Sequence, residues 1–381
     1  MRARLRSLQQ DLFTSTLHDE RNAALLGSAL GITFTICFVT GLYSHFAQHP
    51  PSWFLLPSRP AGLYRVTQGL HIATGLASIP LLLAKLWTVY PKLFAWPPFR
   101  GAAGLIERVM LVPLVGGSLF LLFTGLANIN LWYPWPFNFR QAHYWVAWIT
   151  IGALIIHIGA KITTTRGALR REPPAHAHDE VAERLDRRRF LLAAFGATGV
   201  VTLFTLGQTV RPIARFALLA PRRPDIGTQG FPVNRTAAAA GVARPARSTK
   251  FRLVVDGNVA RRLSFSVAEL AALPQHHATL PIACVEGWST SQRWTGVRVR
   301  DLIRMAGGGH NAEATVHSLQ RHGAYRTSEL NQAHAADTDT LLALRVNDEV
   351  LDLDHGYPVR LIGPNLPGVR QTKWVTRLQV R

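Results

Sequence analysis

Five long stretches free of Asp, Glu, Lys and Arg occupy the first half of the chain, at residues 23–46, 66–84, 109–139, 141–160 and 190–210. A helix needs about 20 apolar residues to cross a hydrocarbon core, so the pattern predicts five transmembrane helices. Residues 211–250 are rich in Pro, Ala, Gly and Arg and show no sustained apolar period, which predicts a linker or an extended wrap over the next domain. From residue 251 the apolar runs become short. "FRLVVDG" alternates like a strand ending in a turn, "VRLIG" and "WVTRLQV" also read as strands, and Ser266 with Glu269 in "SVAELAAL" has the capping-box spacing that opens a helix. The expected architecture is a multidomain membrane protein. It comprises a four-helix transmembrane domain over residues 1–165, a basic loop over 166–189, a fifth, anchoring helix over 190–210, the linker, and a β-rich α+β domain over 251–381.

Charge sharpens this picture. The 381 residues are 48% hydrophobic and 17% charged, with a net charge of +20. A basic excess of that size could mean nucleic acid, but the cations are segregated by connection and not spread over one soluble face. Arg2, Arg4, Arg6 and Arg21 precede the first run; Lys85, Lys92, Arg100 and Arg108 surround the second connection; Lys161, Arg166, Arg170, Arg171, Arg184, Arg187, Arg188 and Arg189 fill the fourth. The other two connections hold only Arg59, Arg65 and Arg140. By the positive-inside rule this places the N-terminus in the cytoplasm of a bacterial cell and everything after residue 210 outside. Membrane lipid is the expected partner, and nucleic acid is excluded.

Three histidines fall inside the apolar runs, where an ionisable group is costly and marks function. His71 lies in the second, His143 and His157 in the fourth. The spacing of His143 and His157 is close to four helical turns, which puts them on one face roughly 21 Å apart. Two imidazoles on neighbouring helices can take both axial positions of a b-type haem, and no Cys-x-x-Cys-His is present for covalent attachment. His71 and His143 are the expected pair for one haem. A second haem would use His157, for which neither His18 nor His45 is a clear partner. The stretches "LYRVTQGLHIATGLASIPLLLAKLW" and "AHYWVAWITIGALIIHIGAK" resemble the di-haem cytochrome b families of formate dehydrogenase gamma subunits and cytochrome b561-like proteins, and that resemblance implies haem b and electron exchange with quinone.

Only two cysteines occur, Cys37 in the first run and Cys284 in the last domain. A disulfide framework is therefore unavailable, and the lone Cys284, followed by Gly287 and Trp288, reads as a candidate soft-metal ligand. "CVEGWS", "WTGVRVRDLI" and "LLALRVNDEVLDLDHGYPVRLIGPNLPGVRQTKWVTRLQV" resemble the molybdopterin-binding domain of the sulfite oxidase family. The resemblance implies molybdenum ligated by Cys284, and pterin and phosphate contacts from His355, Gly356, Pro358, Arg360 and Lys373. Cationic side chains from adjoining segments suit a phosphate; Arg370 is a further candidate, and Arg293, close after Cys284, is a candidate anion binder for catalysis.

"DRRRFLLAAFGATGVV" at 186–201 has the layout of a twin-arginine export signal. A domain loaded with a molybdenum cofactor in the cytoplasm must cross the membrane folded, which would explain such a signal in mid-chain. The expected function is a membrane-bound, molybdopterin-dependent oxidoreductase. Its extracytoplasmic domain acts on a small oxyanion or sulfoxide and exchanges electrons with haem b and the quinone pool. The alternative is a non-enzymatic membrane protein presenting a cofactor-free domain of this type for binding.

Overall fold

The computed structural model describes residues 17–93, 101–170, 178–219 and 222–381. Arg2, Arg4, Arg6, Arg100 and Arg171, which bear on topology, lie outside them.

Among the described residues, five helices are long and apolar enough to cross a membrane. They are built from α1 (Glu20–Gln48), α2 (Leu63–Leu93), α3 (Gly101–Leu111) continued through a π-helical turn at Val112–Gly116 into α4 (Gly117–Ile129), α5 (Phe139–Arg170) and α6 (His178–Leu206). The π turn holds Pro113, whose missing N–H cannot continue the α-helical ladder. Two expectations change here. The third run was expected to stay helical to residue 139, but α4 ends at Ile129. Leu131 then takes a left-handed φ of 55°, and Pro134 and Pro136 bar helix beyond it. The loop expected at 166–189 is largely helical: α5 runs to Arg170 and α6 begins at His178, so Arg187 and Arg188 sit within a helix rather than before one.

The chain forms two compact units. The first, residues 1–40 and 70–205, carries its apolar side chains outward: Ile32, Val112, Trp145, Ile155 and Leu192 are all more than half exposed. Its buried positions include Asn22, Ser78, Thr88, Ser118, Thr124 and Thr150. Small polar residues at helix contacts with apolar residues outside are the arrangement expected in lipid. Gly117 is one such contact, since a Cβ there would lie 2.2 Å from Thr150 Oγ1.

The second unit comprises residues 41–69 and 206–381, so the ends of α1 and α2 and their connection belong with the C-terminal domain, not with the four-helix domain expected over 1–165. Among the described residues, ten strands form two sheets. The first has the order β2 (Leu263–Phe265), β1 (Leu253–Gly257), β10 (Val375–Val380), β5 (Ala314–Ser318), β6 (Thr327–Leu330). The second runs β3 (His276–Ala283), β4 (Ser289–Arg298), β7 (Leu341–Val346), β8 (Glu349–Val350), with β9 (Arg360–Ile362) also on β7. The β1–β10 pair is parallel and the others are antiparallel. The expected strands at 251–257, 359–363 and 374–380 correspond to β1, β9 and β10, and the expected capping box opens α7 (Val267–Ala272).

Alternation along β7 explains where the site lies. Successive strand residues face opposite sides; Leu342 and Leu344 join the core shared with Leu253, Val255 and Leu378, while Leu341 and Ala343, and past a register shift at Leu344 also Val346, join a second core with Trp294, Leu280 and Phe231. The second sheet is thus covered on both faces. On its outer face Phe231, from the segment expected to be a linker or a wrap, joins this second core, while Ala237, Val242 and Ala246 of the same segment pack around Trp374; all four are 1% exposed. That segment is a wrap on the domain.

Candidate functional site

A small cavity on this outer face is lined by Cys284, Trp288, Phe231, Asn234, His355, Arg360 and Lys373, among others. Its open volume is ≈ 10 Å³, about that of one water site. Cys284 stands just past β3 and is 3% exposed. Its amide donates to Trp288 O at 2.9 Å, and Gly287 N donates to Cys284 O at 3.1 Å. The tight turn this makes requires φ of +100° at Gly287, a region open to glycine. Burial, with the nearby Glu286 carboxylate adding to it, pushes the Cys284 thiol up to about 12. The thiolate therefore requires a compensating cation such as a bound metal.

Three basic side chains converge on the same space from separate segments. His355 closes a short turn whose start Asp352 caps, its carboxylate accepting from Asp354 N at 2.7 Å. The next residue, Gly356, has φ +117°. His355 Nε2 donates to Thr228 O at 2.7 Å, and the imidazole stacks on Phe231 with ring centres 3.7 Å apart. Burial, then the Arg360 charge, lowers it to about 4, so the ring is neutral. Arg360 opens β9, paired across to Ala343 of β7. It is 5% exposed, donates from Nη1 to His355 O at 2.9 Å and lies over the Trp294 ring. Its Nε has no partner among the described residues, and burial lowers it to about 9. Lys373 precedes β10, next to Trp374, whose indole donates to Leu353 O at 2.7 Å. Lys373 Nζ donates to Asn234 Oδ1, Arg235 O and Asp354 O at 3.4, 2.6 and 2.8 Å, and burial, then Arg360, lowers it to about 7.

No carboxylate lines the cavity among the described residues. A buried guanidinium with an unused donor, beside a lysine and a histidine, is a donor set suited to an anion. A phosphate-bearing cofactor with a metal for Cys284 matches that donor set.

Arg293 and Arg370 are placed elsewhere. Arg293 is exposed on β4 and pairs with Asp348 at 3.1 Å. Arg370 is buried, and its guanidinium donates to Ala47 O at 3.1 Å and to Glu329 O. Neither lines the cavity. Conversely, Phe231, Asn234 and Trp288 were not expected there; Trp288 was legible as a neighbour of Cys284, but nothing in the Ala-rich wrap distinguished Phe231 or Asn234.

In the helical unit, His71 on α2 and His143 on α5 lie with ring centres 6.2 Å apart at 74°. Two imidazoles on opposite sides of one metal ion, each bonded at about 2 Å, have centres about 6 Å apart. His71 Nδ1 is engaged by Cys37 O at 2.8 Å and His143 Nδ1 by Thr124 Oγ1 at 2.9 Å, leaving Nε2 of each for a ligand, as metal-bound histidines are usually held. His157, also on α5, makes no ring contact with another imidazole among the described residues; His18 instead meets Thr88 O at 3.3 Å and the ring of Tyr90.

The oxidoreductase molybdopterin binding domain family model matches residues 240–381. The chain is 31% identical over 163 residues to a protein of Azospira oryzae named as a protein-methionine-sulfoxide reductase subunit, YedZ1, covering 42% of this chain and 61% of that one. It is 30% identical over 160 residues to sulfite oxidase of Gallus gallus, covering 35% of each. It is 32% identical over 132 residues to an oxidoreductase, YuiH, of Bacillus subtilis, covering 34% of this chain and 65% of that one. The chain thus spans less than two thirds of the length of each of these relatives.

Proposed function

We propose, from the premise that residues 240–381 are an oxidoreductase molybdopterin-binding domain similar to that of sulfite oxidase, that the chain is a membrane-bound molybdenum oxidoreductase. Its metal is held by Cys284, and it exchanges electrons through haem b with quinone. The observation that carries the reading is the donor set of the cavity: Cys284 shares it with Arg360, His355 and Lys373, and Arg360 Nε is unpaired among the described residues. When bound, the molybdenum cofactor supplies two-electron oxygen-atom transfer. The chain's own residues do the rest. Arg360 and Lys373 hold the cofactor's phosphate by charge-assisted bonds. His355, neutral and fixed by Thr228 O, presents its remaining nitrogen beside them. Phe231 and Trp288 exclude water, and the segment around Phe231 must yield to admit a cofactor, because it forms the wall that closes the ≈ 10 Å³ space.

The substrate class is a sulfoxide or a small sulfur oxyanion, a reading supported by the names of the similar proteins. His71 and His143 hold one haem through Nε2; their spacing and the engagement of both Nδ1 atoms support this. For a second haem at His157, sequence placement is the only support. The outward apolar surface of α1–α6 supports insertion in a bacterial cytoplasmic membrane. The basic connections support a cytoplasmic N-terminus, with the C-terminal domain exported by way of Arg187 and Arg188.

Purified full-length protein tests the proposal. Elemental analysis is expected to give one molybdenum per chain, and the spectrum a haem b Soret band that responds to added sulfite or to a sulfoxide under reducing conditions. Protein carrying neither molybdenum nor a Soret band would refute it.

A further inference from the structure

The Cys284 loop uses its own hydrogen bonds for only part of its backbone. Three other polar groups of the loop are claimed by residues distant in sequence. Val285 O accepts from Gln68 Nε2 at 3.4 Å, Gly287 O accepts from Thr209 Oγ1 at 3.5 Å, and Ser289 N donates to Gln208 O at 2.9 Å. Gln68 lies near the start of α2, and Gln208 and Thr209 follow α6; all three belong to the same compact unit as the loop. None falls within residues 240–381.

The Gln68 amide is itself held from behind. Its Oε1 accepts from Ser44 Oγ at 2.7 Å, Ser44 Oγ accepts from Gln48 Nε2 at 3.0 Å, and the Tyr64 hydroxyl lies 3.3 Å from Ser44. Ser44, Tyr64 and Gln68 are 5%, 1% and 5% exposed, so this is a buried polar chain whose members fix one another's orientation. Gly69, the next residue, lets α2 approach Thr209: a Cβ there would stand 2.6 Å from Thr209 Cγ2 and 2.8 Å from its Oγ1.

We propose that Gln68 and Thr209 are positioning residues for the Cys284 sulfur. With the Gln208 carbonyl they form a cradle that fixes the Val285 and Gly287 peptides, and thereby the direction in which the thiolate meets the metal. This rests on the reading of Cys284 as the molybdenum ligand. Outer-shell partners of metal ligands commonly set both ligand geometry and metal retention. Here the partners come from the ends of apolar helices, so the oxidoreductase site requires chain outside residues 240–381.

The test uses full-length, cofactor-loaded protein. Gln68→Leu and Thr209→Val each remove one tie, and Thr209→Ser keeps the hydroxyl. Arg59→Ala is the control: it removes ion pairs to Asp337 and Asp339, at 2.9 and 2.5 Å, that anchor the same 41–69 stretch elsewhere. Molybdenum per chain, the Mo(V) electron paramagnetic resonance spectrum and the rate of metal loss on dilution into chelator are read for each. Gln68→Leu and Thr209→Val are expected to shift the Mo(V) g-values and to lose metal on the order of 10-fold faster. Thr209→Ser and Arg59→Ala are expected to keep the wild-type spectrum. Wild-type spectra in both Gln68→Leu and Thr209→Val would overturn the cradle. Should Gln68→Leu fail to accumulate, the Thr209→Val and Thr209→Ser pair decides alone. Wild-type protein without molybdenum would instead overturn the assignment of Cys284.

Discussion

Arg360→Met should change stability in opposite directions in the cofactor-free and cofactor-loaded protein. The guanidinium is 5% exposed, has no carboxylate partner among the described residues and leaves Nε unsatisfied; burial lowers it far below its ordinary value, to about 9. At 1.36 kcal/mol per pH unit, this sets a ceiling of about 5 kcal/mol on the cost of keeping the charge buried. The bond to His355 O and the contact with Trp294 are lost on substitution, so a net gain of about 1–4 kcal/mol is the realistic expectation, as for other buried charges replaced by apolar side chains. In loaded protein the substitution instead removes a charge-assisted bond to the cofactor's phosphate, a loss of about 1.5–3 kcal/mol. Thermal unfolding followed by tryptophan fluorescence, on protein from a host unable to make the cofactor and from one that makes it, gives both signs. A lower midpoint for Arg360→Met in the cofactor-free protein would refute the claim that this cavity is built to hold an anion.

Cys284→Ser should abolish turnover and leave the haem spectrum intact, since a hydroxyl cannot replace a thiolate toward molybdenum; full activity would remove the molybdenum reading. His71→Ala and His143→Ala should each eliminate the same Soret component without altering molybdenum content, as spectra and elemental analysis will show. Stability of the cofactor-free protein should rise between pH 7 and about 10. Folded Lys373 gives up its proton from about 7 upward while the unfolded chain still binds it; Lys373→Met should flatten that dependence in denaturant titrations at each pH. Changing Arg187 and Arg188 to Lys keeps the charge but not the guanidinium geometry, so the 251–381 domain should remain protected from protease added to spheroplasts.

Much of the architecture was legible because it follows from local pattern. Charge-free length marked the apolar helices, period-2 alternation marked β1 and β10, and the Ser266–Glu269 spacing marked α7. Absence of charge reports hydropathy and not backbone conformation, which is why the third helix stops at Ile129 before two prolines although the apolar run continues. The placement of residues 41–69 was not legible. Ala47, Leu56 and Tyr64 are buried in the core of a domain that begins some two hundred residues later, and no local period encodes such a contact. The same holds for Phe231, which looks like an isolated aromatic in an Ala-rich stretch yet covers His355. Arg370 illustrates the converse: an arginine close to a cofactor motif was a reasonable anion donor, but buried backbone carbonyls of Ala47 and Glu329 claim it.

The proposed enzyme stands or falls with Cys284 carrying molybdenum, and X-ray absorption at the molybdenum edge tests that directly. Wild-type protein should show a sulfur shell around the metal that loses one sulfur neighbour in Cys284→Ser; an identical sulfur shell in the two proteins would contradict it.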